Sequence, residues 1–124
     1  MLSVQNISKG KPPRLPFHKL ANAVLGARYE VSLVFVGGRF SAKLNRIYRG
    51  KQVPANVLAF PLSLRAGEIF IDLGEARKDA KKFGETFRGF VALLFIHALF
   101  HLKGYRHGST MERKERRIRR TFRV

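Results

Sequence analysis

The sequence predicts an α+β fold: one domain, with a mixed sheet of about four strands packed against helices and a long buried helix carrying histidines. Three observations predict it. Short runs rich in β-branched and aromatic residues alternate with segments of helical period along the chain. The segment Thr86 to Leu102 is apolar nearly all round, so it belongs at the centre of a core. The 124 residues, 45% of them hydrophobic, suffice for one core, and residues 1–124 read as a single domain with a basic C-terminal helix.

Each element has a local reason. Leu2 to Ile7 reads as a short strand, followed by a Lys, Gly and Pro turn over Lys9 to Pro13. Pro16 to Leu25 is a helix with proline near its first turn, where the missing N–H costs nothing. Tyr29 to Val36 is a strand ended by Gly37 and Gly38. Ser41 is placed to cap a helix through Tyr48, and Arg49 to Pro54 reads as a polar loop. Asn56 to Phe60 is a strand expected to stop at Pro61, and Glu68 to Leu73 another. Glu75 to Phe83 is helical, Thr86 to Leu102 is the core helix, and Ser109 to Arg120 is a basic surface helix.

Charge narrows the partners. Twenty-five Lys and Arg against eight Asp and Glu give a formal net charge of +17, a field that attracts polyanions. No acid falls between Glu30 and Glu68, a stretch that holds Arg39, Lys43, Arg46, Arg49, Lys51 and Arg65. Nucleic acid is the leading partner. An anionic membrane is the weaker one, because no strongly amphipathic helix with an aromatic face is visible. The longest apolar run, FVALLFIHALF, is too short to span a bilayer. The N-terminal stretch has no apolar h-region, and there is no cysteine to form a disulfide or a thiolate ligand. A cytoplasmic protein is expected.

HALFHLKGYRH concentrates three of the four histidines: His97, His101 and His107. Residues four apart share a helix face, so His97 and His101 project together. Gly104 suits the left-handed turn that ends a helix and lets the chain bring His107 back. Three imidazoles bind Zn²⁺ and leave a fourth coordination position open. Packed polar histidines on a core helix are the competing reading, and the third histidine with its intervening glycine weighs against it. The spacing is that of the metzincin proteases, but Ala98 stands where their mechanism needs a glutamate base. Peptidase chemistry is disfavoured.

A second segment, LNRIYRGKQVPANVLAFP, sets Arg49, Gly50 and Lys51 in a tight basic loop before a strand. Together with the histidine motif it resembles the YbeY family of bacterial endoribonucleases. Those proteins show a YRGK-type loop, NVLSFP or DVLSFP, a GDI strand, and HGxLHLxGYDH. This chain reads YRGK from Tyr48, NVLAFP from Asn56, GEI from Gly67 and HALFHLKGYRH from His97, in the same order. The resemblance implies an α+β fold, a zinc-type metal on His97, His101 and His107, and Arg49 as the basic residue facing a catalytic cleft. It also implies a role in ribosomal RNA maturation near the 3′ end of the small-subunit RNA and in ribosome quality control. The departures are Ala98 for glycine, Arg106 for aspartate, and the basic MERKERRIRR where the family is acidic. Arg106 takes a carboxylate away from the third ligand and offers a phosphate contact instead.

The expected function is a single-metal endoribonuclease using Arg49 on the phosphate. Arg49, Lys51, Arg106, Arg113, Lys114, Arg116 and Arg117 are the candidate RNA contacts, with ribosomal RNA and the small ribosomal subunit as partners. An RNA-binding or ribosome-associated factor with a structural metal is the alternative. A metallohydrolase of small substrates fits the histidines but not the charge. Glu68 and Glu112 are general-base candidates only by default.

Overall fold

A computed structural model describes residues 1–124. Strands β1 (Leu2–Asn6), β2 (Glu30–Val36), β3 (Val57–Ser63) and β4 (Ala66–Asp72) form one sheet in the order β1-β2-β4-β3. β1 and β4 pair parallel to β2, and β3 pairs antiparallel to β4, so the expected mixed four-stranded sheet is present. The helices are α1 (Phe17–Leu25), α2 (Gly38–Arg49), α3 (Leu73–Lys82), α4 (Phe87–Leu102) and α5 (Ser109–Phe122).

Side chains alternate across a strand, so Val31, Leu33 and Phe35 of β2 and Ile69 and Ile71 of β4 share one face. All five are buried in the core cluster, together with Leu20 and Val24 of α1 and most of α4. Phe17 packs edge-on against Phe35 at 5.8 Å and Phe95 at 5.1 Å, joining α1, β2 and α4. α4 is capped by Thr86, whose hydroxyl accepts from the Gly89 N–H at 3.0 Å. Its apolar circumference lies between the sheet, α1, α3 and α5, which is why it shows no polar stripe. α2 lies on the opposite face of the sheet. There Phe40 packs on Phe70 and Tyr48 on Phe60, at 5.8 and 4.8 Å.

Four expectations shift. Ser41 does not cap α2, which begins at Gly38; its buried hydroxyl instead donates to Asp72 Oδ2 at 2.6 Å. The other Asp72 oxygen accepts the Glu75 N–H at 3.0 Å and caps α3. Asp72 thus turns the chain from strand to helix, and Leu73 opens α3 rather than ending β4. Pro61 does not stop β3, because β3 is an edge strand and the register shifts between Pro61 and Ser63, so no ladder donor is needed there. Arg49 is the last residue of α2, not a loop residue. Gly50, at φ 68° and ψ 12°, ends the helix in the left-handed region and satisfies its last carbonyls.

Candidate metal centre and cleft

α4 carries His97 and His101 on one face in its last two turns. Gly104, at φ 103°, donates its N–H to the His101 carbonyl at 3.0 Å, and Tyr105 donates to Phe100 at 3.0 Å. A side chain would strain that conformation. The chain reverses there, and His107 returns to the end of the helix. One ligand nitrogen from each of the three histidines falls within 4.8 Å of the others, and Nε2 of His97 lies 3.1 Å from Nε2 of His101. Ligands about 2.0–2.1 Å from a tetrahedral ion stand roughly 3.3 Å apart, so the donor set fits a divalent metal.

A carboxylate supports the set from α5. Glu115 Oε1 lies 2.8 Å from His97 Nδ1. A carboxylate oxygen accepts, so the ring proton sits on Nδ1 and the Nε2 lone pair faces the other histidines. The pKa of His101 is lowered by burial and by the neighbouring His97 and His107, against smaller raising effects from the Tyr105 backbone and Glu115. Lowering it favours the neutral, ligating imidazole.

Glu115 is the residue that sequence reasoning missed. The loss of the family aspartate to Arg106 pointed to a metal site without carboxylate support, but the support comes from α5. The signal was present: Met111, Ile118 and Phe122 form the face with which α5 packs on α4, and Glu115 is a charged residue in that stripe. Its carboxylate is engaged by His97.

The histidines open onto a cleft of about 860 Å³. β3, from Val57 to Pro61, forms one wall, Leu93, Leu94 and Ala98 of α4 form the other, and Tyr48 and Arg49 stand at the end of α2. Arg49 therefore shares the cleft with all three histidines, from a position far away in the chain. Lys51 is exposed beyond the Gly50 cap, Arg106 is exposed beside His107, and Arg113, Arg116 and Arg117 are exposed on α5. Lys114 is half-buried, its ammonium 5.6 Å from the Tyr105 ring centroid. Neither default base lines this cleft: Glu68 borders a separate groove with Ser3 and Ser32, and Glu112 is exposed on α5. No helix is long and apolar enough to cross a membrane by itself.

Fold and site together define a single-domain α+β protein with an open three-histidine metal site. The sequence profile of the family described as Endoribonuclease YbeY matches residues 15–122. Proteins named Endoribonuclease YbeY are similar along most of the chain. One from Alkaliphilus metalliredigens is 37% identical over 73% of this chain and 66% of its own length. Those from Methylocella silvestris, at 37% over 79% and 62%, and Helicobacter pylori, at 34% over 86% and 79%, agree. The chain belongs to the YbeY family. It spans about two thirds of the length of the first two relatives, 66% and 62%. The solution structure of a Thermotoga maritima protein shares the fold, with a TM-score of 0.69 at 24% identity over 95% of this chain and 86% of that one.

Proposed function

We propose that this protein is a metal-dependent endoribonuclease acting on ribosomal RNA, at the 3′ end of the small-subunit RNA and in ribosome quality control, in the cytoplasm. The observation that carries the reading is the shared cleft: three metal-type histidines and one free arginine, separated by most of the fold, face the same space. The name Endoribonuclease carried by the relatives supports its ribonuclease part. The net charge of +17 favours a polyanion over a small substrate. Zinc is the metal that a neutral three-nitrogen set with an open position suits.

His97, His101 and His107 hold the ion, and Glu115 keeps His97 in the tautomer that can do so. A bound divalent ion supplies Lewis acidity toward a phosphoryl oxygen. Arg49 offers a planar, permanently charged fork that pairs with a phosphate in two hydrogen bonds and stabilises charge as it develops. Leu93, Leu94 and Val57 give the cleft apolar walls that thin the water around those charges. Lys51, Arg106, Arg113, Lys114, Arg116 and Arg117 extend the positive field outside the cleft.

A factor that binds RNA on the small ribosomal subunit around a structural metal is the second reading, favoured by the basic α5 surface and Arg106. One experiment separates the two: metal analysis beside cleavage of a precursor of the small-subunit RNA 3′ end, wild type against His101→Ala. The endoribonuclease reading expects cleavage by the metal-loaded wild type and none by the variant. Binding without cleavage by fully loaded wild type sinks it in favour of the factor.

A further inference from the structure

α2 carries a row of cations whose placement solubility does not account for. At 100° per residue, Arg39, Lys43, Arg46 and Arg49 fall within one 120° arc, of which Arg39, Lys43 and Arg46 are turned away from the buried Ser41 and Asn45. All four are exposed, and none takes part in an ion pair. Neighbours at i,i+3 and i,i+4 of like sign destabilise a helix, and so does Arg39 in a first turn that holds no acid. α3 shows what a merely solvated helix in this protein looks like. It sets Glu75 in its first turn and Lys81 and Lys82 in its last, and pairs Lys78 with Glu75.

The row also has a direction. Its last member, Arg49, lines the cleft, while Arg39 stands two to three turns away at the far end of α2. At the cleft end of the row stands an exposed ring: Tyr48, next to Arg49 in the chain, is 63% exposed, lines the cleft and is backed by Phe60 of the sheet. A line of unpaired cations that ends at an exposed ring in the cleft suits a single strand, whose phosphates meet the cations and whose arriving base stacks on Tyr48.

We infer that the α2 ridge of Arg39, Lys43 and Arg46 binds the backbone of single-stranded RNA and leads it to Arg49 in the cleft. The inference rests on reading that cleft as a ribonuclease site. The test is a salt titration of metal-loaded protein binding a labelled single-stranded RNA of about 20 nucleotides, long enough for ridge and cleft together. Arg39→Gln, Lys43→Gln and Arg46→Gln are combined in one variant. Lys78→Gln, Lys81→Gln and Lys82→Gln on α3 form a second variant with the same change in net charge. Equal metal content and thermal midpoints establish that both remain folded.

The α2 variant should bind at least about tenfold more weakly at low salt, with the slope of log K on log salt reduced by about 2, roughly 0.7 for each phosphate of a single strand that a cation no longer neutralises. The α3 variant should keep the wild-type slope. Equal weakening in both variants overturns the ridge, because net charge alone would then set affinity. An α2 variant that binds RNA like wild type also overturns it and leaves an acidic protein as the ridge's partner. In either case continued cleavage by wild type keeps the nuclease reading standing. Wild type that neither binds nor cleaves RNA removes both.

Discussion

The two sides of the cleft are built in different ways. The metal side comes from one short stretch: a helix places His97 and His101 together, and a glycine turn returns His107 within six residues of His101. The arginine side has no such local logic. Arg49 arrives from the end of a helix on the opposite face of the sheet, and β3 forms a wall only because it is the sheet's edge. A local motif survives small movements of its surroundings, whereas the Arg49 side depends on how α2 and β3 sit on the sheet. Losses on the metal side should therefore remove the ion, and losses on the Arg49 side should remove rate while the ion stays.

The largest effect is expected on the metal side. The double variant His97→Ala, His101→Ala should hold almost no metal by elemental analysis and should not cleave RNA, since one imidazole cannot retain the ion. Stoichiometric metal in that variant would falsify the site. On the opposite side, Arg49→Ala and Arg49→Lys should each slow single-turnover cleavage by about a hundredfold, the roughly 2–4 kcal/mol carried by one such charge-stabilising donor, with metal content unchanged. If affinity collapses while the bound-state rate holds, Arg49 is an anchor; if neither changes, it has no part in the chemistry.

Glu115 sharpens the comparison, because it lies outside the local motif yet belongs to the metal side. Glu115→Ala should weaken metal binding about 10–100-fold in a chelator competition, and Glu115→Gln less, since an amide oxygen still accepts from His97. Unchanged affinity would show that the local motif needs no support from α5. Removing Arg113, Arg116 and Arg117 together by substitution with Gln should lower the salt slope of RNA binding by about 2 without altering metal content. Truncation at Gly108 is a poorer probe of that charge, because it also removes Glu115 and the buried Met111.

The smallest effect is on the stability of the metal-free protein. The folded-state pKa of His101 lies below the ordinary 6.5, so the unfolded chain binds more protons in the window just beneath that value. Stability should rise with pH through that window and be lost as pH falls below 6.5. The holoprotein should lose its ion in the same direction, since protons compete for the imidazoles. Thermal midpoints of wild type and His101→Ala, compared across that range, check the sign. A wild-type midpoint that climbs on acidification contradicts it.

The order of elements was legible because each is set by neighbours within a turn or a pleat: apolar period, caps, and glycine at helix ends. The boundaries that moved were those decided by distant partners. Ser41 has the chemistry of a cap, but Asp72 draws its hydroxyl into the sheet junction. Pro61 has the chemistry of a strand breaker, and only the edge position of β3 makes it harmless.

The same division holds for the site. By itself the sequence determined the α+β composition, the basic field, and the histidine set, because i,i+4 spacing and a glycine turn bring those rings together wherever the helix packs. The tertiary structure decided how Arg49 comes to line the same cleft as the histidines, that Glu115 supports His97, and that Glu68 and Glu112 stand apart from that cleft. Those relations join residues far apart in the chain. The burial of one hydrophobic core sets them, through the sheet order and the docking of α5 on α4, and no local spacing encodes them.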